Sequence, residues 1–337
     1  MTTQSHEGLI FPHTVDSTML AAFRSCPQKF FRTYIQHWKP KAESVHLVAG
    51  KAFASGIEAA RRAYFEGQAE EPVKGEEGKT QWVACEAGNR ELAENIGVRA
   101  LIKSYGNFQC PSDSAKSLER TAGALEFYYA NYPLGADGAT PLTFASGRRG
   151  IEFSFAEPLP IVHPVSGDPI LYTGRLDMVG EFSGGIYGFD EKTASQLGAS
   201  WSRQWDLRSQ FTGYCWALRQ NGINAQGVIV RGVSILKTKY DTQQAITYRA
   251  PWEVDRWLEQ VLHDLERMKR MWADGWWDYN LDHACSEYGG CSLTQICKSQ
   301  DPSTWLPMYF EQKVWDPLER RELTMEEYKA IWEPAAE

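Results

Sequence analysis

No stretch of the 337-residue chain approaches the roughly 20 consecutive apolar residues that a membrane-spanning helix needs. The opening residues, MTTQSHEGLIFPH, have neither a basic start nor an apolar run, so no secretory leader is expected. A G-x-x-x-x-G-K-[ST] phosphate loop is missing as well, so any ATP hydrolysis would have to come from a partner protein. Positive charge is scarce: 35 Lys and Arg stand against 43 Asp and Glu, a formal net charge of −8. That balance speaks against a broad electrostatic grip on a polyanion, although a local basic channel remains compatible with it. These absences lead to the expectation of a soluble, cytoplasmic protein with no membrane partner.

Seven cysteines are spread through the chain. In a reducing compartment they argue against a disulfide framework and direct attention to metal or cluster ligation wherever the spacing permits it. The hydrophobic fraction of 43%, with 13 Trp, is enough for a sizeable core in one elaborated domain or two.

The most informative stretch runs from Gly174 to Thr193, GRLDMVGEFSGGIYGFDEKT. Tyr172 to Phe182 is rich in β-formers, Ser183-Gly184-Gly185 is a turn signal, and Ile186 to Thr193 returns as a second strand. Side chains alternate faces along a strand, so Asp190 and Lys192 share one face and Glu191 takes the other. The hairpin brings Asp177 alongside Asp190. Two carboxylates and an ammonium at a strand end suit hydrolysis of a phosphodiester. The acids hold a hard divalent cation through oxygen ligands. The cation activates a water and offsets phosphate charge. The lysine orients that water or stabilises the developing oxyanion. Taken alone, the same triplet also fits a solvated strand pair with cross-strand ion pairs.

Along the rest of the chain, Asp16-Ser17-Thr18 is a helix start, followed by Met19, Leu20 and Phe23 at helical spacing. Pro27 ends or restarts that helix, and Phe30, Phe31, Tyr34 and Ile35 continue an amphipathic pattern. A helix is expected from Val48, with Phe53, Ile57 and Ala60 inward. Residues 66–82 read as a charged linker or long loop. Residues 83 to about 132 read as helical, broken at Asn107 to Ser114, with Leu92, Ile96, Leu101, Leu125, Phe127 and Tyr128 as core candidates and Cys85 and Cys110 structural. Ile151 to Phe155 alternates as a strand, Pro158 to Asp168 is a loop, Trp201 to Gln220 a helix and Gly227 to Lys237 a strand. Tyr248 to Ala250 closes a further short strand. Pro251 to Trp272 is a long helix with Val254, Trp257, Val261, Leu265 and Met268 on one stripe. A strand–helix–strand unit after the hairpin pairs its second strand into the same sheet. Thr324-Met-Glu-Glu327 reads as a capping box starting a last helix.

GRLDM, then FDEKT, then Gln210-Phe-Thr-Gly-Tyr214 on the following helix resembles the RecB-like branch of the PD-(D/E)XK nuclease superfamily. Gln210 and Tyr214 lie one turn apart on one helical face. The resemblance implies a restriction-endonuclease-like α/β fold: a mixed sheet core flanked by helices, with a helical insertion and a cysteine staple. On that basis residues 1–65 hold the N-terminal helices of the nuclease core with Cys26, and 66–141 the insertion, which walls a nucleic-acid channel. Residues 142–250 hold the central sheet with the motifs, and 251–337 the C-terminal helix, cysteine loop and tail. The implied activity is that of a metal-dependent DNA exonuclease. Asp177 and Asp190 would bind Mg2+ or Mn2+, Glu191 would lend its backbone carbonyl, Lys192 would be the catalytic lysine, and Gln210 and Tyr214 would position the water or the strand. In the family the helix at Gly50 begins G-x-x-x-H, and the His is commonly a metal ligand; here that position is Ala54. Glu58, one turn further on, often accompanies that His as a direct or water-mediated metal ligand; an exposed helix acid is the other reading.

Cys285, Cys291 and Cys297 follow at x5 and x5 spacing in a Gly-containing loop. Three ligands do not close a tetrahedral or cubane site, and Cys26 is the natural fourth. All-thiolate ligation is compatible with an iron–sulfur cluster or with zinc, and His283 is an alternative zinc ligand. RecB-like relatives with one N-terminal and three C-terminal cysteines carry a 4Fe–4S cluster that staples the chain ends. Cys26, Cys285, Cys291 and Cys297 match that arrangement, with a first C-terminal interval longer than the relatives' C-x-x-C. The resemblance favours the cluster.

The expected substrate is DNA, single-stranded or with free ends, with Trp and Tyr side chains stacking unpaired bases. A helicase or recombination protein is the expected partner class. Stand-alone nucleases of this size are common in bacteriophages and CRISPR-associated systems, an analogy at the level of fold. Against cleavage stands Ala54, which points to a non-cleaving DNA- or partner-binding module on the same fold. Retention of Asp177, Asp190, Lys192, Gln210 and Tyr214 argues for the nuclease. A zinc-stapled structural protein would explain the cysteines but not the hairpin.

Overall fold

The computed structural model describes residues 8–72, 80–144, 147–281, 283–286 and 290–318. In chain order its elements begin with β1 (Thr14–Asp16), α1 (Ser17–Ser25), α2 (Pro27–Phe30), a π-helical turn (Phe31–Ile35), β2 (Trp38–Pro40) and α3 (Val45–Glu66). Next come β3 (Gln68–Pro72), β4 (Thr80–Ala84), α4 (Arg90–Tyr105), α5 (Leu118–Asn131), β5 (Ala139–Pro141), β6 (Ile151–Val162), β7 (Pro169–Phe182) and β8 (Gly185–Ala194). The chain continues through α6 (Ala199–Arg203), α7 (Ser209–Gln220), β9 (Gly227–Ile235), β10 (Tyr240–Tyr248), α8 (Pro251–Asp274), α9 (Thr294–Lys298), α10 (Trp305–Tyr309) and β11 (Phe310–Gln312). Among the described residues two compact units result, the first from 8–43, 155–174 and 252–318, the second from within 44–154 and 175–251.

The second unit carries the hairpin. β7 and β8 pair antiparallel from Met178↔Phe189 to Phe182↔Gly185. The two turn residues, Ser183 (φ 49°) and Gly184 (φ 81°), both have positive φ, the requirement of the type I′ turn whose twist matches that of the flanking strands. β8 then runs parallel to β9, from Tyr187↔Gly227 to Ala194↔Ser234, with α7 in the connection, as a strand–helix–strand unit demands. β10 returns antiparallel along the whole of β9. Every residue of β9, GVIVRGVSI, is buried, as befits a central strand with a parallel neighbour. α3 is rich in alanine, and its Gly56 meets Gly97 of α4. A Cβ on Gly97 would come within 2.7 Å of the Gly56 carbonyl, so neither position accepts a side chain. Leu101, Leu125, Tyr128, Phe53 and Ile57 fill the core that α3, α4 and α5 share.

In the first unit, Asp16 caps α1 by accepting hydrogen bonds from the Thr18 and Met19 amides, both 2.8 Å. β1 runs parallel to the Leu171–Thr173 part of β7. Phe23, Phe30 and Phe31 surround fully buried Trp277. Val254, Trp257, Val261, Leu265 and Met268 form the buried stripe of α8, as the spacing predicts. β11 pairs antiparallel with β2. No helix among the described residues is long and apolar enough to cross a membrane.

Four local expectations are corrected. Within the stretch 66–82, read as linker, β3 pairs with β4. Thr80, Trp82 and Val83 are β-formers, and a two-stranded ribbon tolerates charge along its edges. Pro158 and Pro160 do not make a loop but lie within β6, which pairs only β7 among the described strands and so can forgo their amide donors. The helix expected over 201–220 is broken: buried Trp205 packs against Trp201 and Phe211, with ring centroids 5.5 and 5.6 Å away, and the chain turns around it. The strand expected at 248–250 is instead the nine residues of β10, hidden by the polar run Thr242-Gln243-Gln244. The capping box at 324–327 lies outside the described residues.

Candidate active site

Asp177 lies one residue beyond the last paired rung of the hairpin. Its Oδ2 accepts the Glu191 amide at 2.7 Å, which turns the carboxylate across to β8. Asp190 is 3% exposed, and its Oδ2 lies 2.6 Å from Lys192 Nζ. Lys192 keeps about a third of its side chain in solvent. Glu191 points to the opposite face, where Arg61 of α3 grips both its oxygens and the Tyr128 hydroxyl donates to Oε1 at 3.2 Å. The alternation expected from the sequence is therefore the alternation observed.

The electrostatics follow from this geometry. Burial, then Asp190 and Glu191, push the Asp177 carboxyl well above the usual range, despite Lys192 and the Glu191 amide. Asp190 is also raised, chiefly by burial, against the pull of Lys192. Burial alone would raise Glu191, but the Arg61 charge and hydrogen bonds hold it low. Burial would lower Lys192, and Asp190 with Asp177 outweigh it and keep the ammonium charged. Exposed Arg208, at the start of α7, is near enough to Asp190 and Lys192 to act on both.

Gln210 and Tyr214 act on the same strand. Gln210 Nε2 donates to the Tyr214 hydroxyl at 2.8 Å, and that hydroxyl donates to the Arg175 carbonyl at 2.7 Å, two residues before Asp177. Glu58 is turned along its own helix to Arg62, 3.1 Å away. Ala54 offers no donor atom.

Two neighbouring carboxylates, buried Asp190 and half-buried Asp177, each held above its ordinary range, fit a bound divalent cation, whose charge would relieve both. Among the described residues no three His, Cys, Asp or Glu side chains converge as a metal site. A cation here would complete its shell from a backbone carbonyl and water, as hard divalent ions do.

Arg61 carries no expectation from the sequence, and Tyr128 is expected there only as a core residue and not as part of the site. Arg61 had a signal: Phe53, Ile57 and Arg61 are at i, i+4 and i+8, so an arginine stands on the buried stripe of α3 and needs an acid partner there. That the partner is Glu191, 130 residues away, had no local signal.

The four cysteines of the expected staple gather in the first unit. Cys26 Sγ accepts the Asn280 amide at 3.5 Å, and Cys285 Sγ donates to the Asn280 carbonyl at 3.7 Å. The Cys291 amide donates to the Cys285 carbonyl at 3.0 Å. The Cys297 thiol is pushed up by burial, and further by Cys291, Cys26 and Cys285, with Arg32 opposing. All four are free thiols. As a donor set they fit cluster or zinc chemistry, although they do not close to ligating distance.

A mixed sheet flanked by helices, with a parallel strand–helix–strand unit following an acid-bearing hairpin, is a restriction-endonuclease-like fold. A family model described as the PD-(D/E)XK nuclease superfamily matches residues 17–298, and the chain belongs to that superfamily. The family implies DNA as substrate, and its nucleases typically use Mg2+ or Mn2+. Among solved structures, the chain is similar to the crystal structure of "Putative exonuclease" from Eubacterium rectale, at 12% identity and a TM-score of 0.46, covering 80% of this chain and 85% of that one. It is similar also to the crystal structure of SSO0001, at 12% identity and a TM-score of 0.24, covering 63% and 74%. No curated protein matches the chain.

Proposed function

We propose that the chain is a metal-dependent DNA nuclease of the RecB-like branch, acting as an exonuclease on single strands or free ends in recombination, repair or phage DNA processing. The observation that carries this reading is the cluster on the hairpin: Lys192 Nζ is 2.6 Å from Asp190 Oδ2, and Asp177 is tied to the same strand through the Glu191 amide at 2.7 Å. Asp177, Asp190 and the Glu191 carbonyl would hold Mg2+ or Mn2+, with Glu58 reaching it through water once released from Arg62. A cation bound there supplies an activated water and offsets phosphate charge. Lys192, partly exposed and kept charged by its two acids, faces the phosphate and stabilises charge developing on it. Tyr214 fixes β7 at Arg175, and Gln210 fixes Tyr214, so the pair sets where Asp177 stands. Arg208 offers a guanidinium to the incoming strand.

In the first unit, Cys26, Cys285, Cys291 and Cys297 hold a 4Fe–4S cluster in preference to zinc. Support comes from an all-thiol donor set drawn from both ends of the unit. Iron and zinc analysis of anaerobically purified protein, with its absorption spectrum, tests this; a colourless protein containing zinc would overturn the cluster.

The nuclease reading is tested with Lys192→Ala on end-labelled single- and double-stranded DNA with Mn2+. The variant is expected to lose cleavage while keeping its fold and DNA affinity; normal turnover would refute the assignment. Ala54 favours the second reading, a non-cleaving DNA-binding module. That reading is adopted instead if the wild-type chain binds DNA but leaves every labelled end intact.

A further inference from the structure

We infer that Arg61 is a positioning residue for the acid pair, acting through Glu191. This rests on reading the hairpin as a cation site. The antiparallel register of β7 and β8 ends at Met178 and Phe189, one residue short of Asp177 and Asp190. Beyond that point a ring of contacts centred on Arg61 takes over. The guanidinium meets the Glu191 carboxylate with both terminal nitrogens, Nη1 to Oε2 at 3.1 Å and Nη2 to Oε1. The same Nη1 donates to the Asp177 main-chain carbonyl at 3.4 Å. Glu191 closes the ring by donating its amide to Asp177 Oδ2 at 2.7 Å.

Each contact constrains the next. The Asp177 carboxylate is aimed by the Glu191 amide. That amide is set by where the Glu191 side chain is anchored, and the anchor is Arg61, 4% exposed on α3. Asp190 and Lys192 flank Glu191 on the same backbone, so the anchor on one face of β8 also fixes the two groups on the other. Tyr128 adds a second hold on Oε1 at 3.2 Å. A planar fork is needed to reach a carboxylate and a carbonyl on two strands at once, and a lysine ammonium is a single point.

The test is Mn2+ binding by the full chain, read as free Mn2+ by electron paramagnetic resonance, for wild type and Arg61→Lys. The variant keeps the buried charge and loses the fork. Its Mn2+ affinity is expected to fall about 10-fold or more, the scale of losses seen when a group orienting a ligand is removed. In steady-state cleavage, kcat is expected to fall while KM for DNA stays within about 2-fold, since Arg61 aims the acids and does not touch the strand. A folded Arg61→Lys whose Mn2+ affinity stays within about 2-fold of wild type overturns the inference. Should Arg61→Lys not fold, Tyr128→Phe removes only the hydroxyl on Glu191; a fall of about 3-fold in Mn2+ affinity supports the ring and no change overturns it. Wild-type protein that binds no Mn2+ sinks the reading of the hairpin itself, an outcome distinct from either variant result.

Discussion

The acid-bearing hairpin and the cysteine corner are built on opposite plans. On the hairpin each chemical group already has a protein partner: Asp190 has Lys192, Asp177 has the Glu191 amide, and Glu191 has Arg61. In the corner, the Cys26 and Cys285 thiols meet a backbone amide and a backbone carbonyl of Asn280, and all four cysteines are free. The first arrangement is organised by the fold before anything binds. The second is brought near by local turns and by the β2–β11 pair, and under the proposed function would be completed by what the thiols bind. Preorganised charge favours catalysis, because no reorganisation is needed at the moment of reaction. An open thiol set favours a structural role, because binding energy becomes folding energy.

Substitutions that touch one region and spare the other would break or sharpen that contrast. The largest effect is expected from Asp190→Asn, which should lower kcat by about 10³-fold, equivalent to about 4 kcal/mol of barrier, as measured by single-turnover cleavage. Iron or zinc content should be unchanged in that variant, and a loss of both would mean the two regions are not separate. Cys297→Ser should do the reverse, abolishing bound iron or zinc and lowering the thermal midpoint by about 5–10 °C by calorimetry, while Mn2+ binding at the hairpin persists. Tyr214→Phe removes the hydroxyl that donates to the Arg175 carbonyl and accepts from Gln210; a stability loss of about 1–2 kcal/mol by urea unfolding is expected. Arg208→Ala should have the smallest effect, weakening DNA binding and reducing the magnitude of the salt slope by about 1 without changing kcat at saturating DNA.

The hairpin was legible because its information is local. Period-two alternation, a Ser-Gly-Gly turn and an acid-x-lysine triplet all fall within twenty residues, and the structure has the strands, the turn and the opposed faces that they predict. The strand–helix–strand unit after it was legible for the same reason. β6 was half missed because its prolines read as loop, although an edge strand can do without their amides. β10 was missed because its polar residues carry no apolar alternation, and its place is set by pairing with β9. Arg61 shows the limit most clearly. Its helix face marks it as buried, but what it neutralises is decided by the packing of α3 against β8, which no short window of sequence contains. The gathering of Cys26 with three cysteines some 260 to 270 positions later is long-range as well, and spacing alone identified only the three.

The interleaving of the two units sets an order of events during synthesis. All described residues of the second unit have emerged once position 251 leaves the ribosome, so the hairpin, its Arg61 anchor and the Gly56–Gly97 helix crossing can form at that point. The first unit must wait for residues 252–318, several seconds more at roughly 5–20 residues per second. During that interval β2 has no β11 beside it and Cys26 has none of its three companions. Nascent chains arrested shortly after residue 251 are thus the natural state in which to look for a formed hairpin without its cysteine corner.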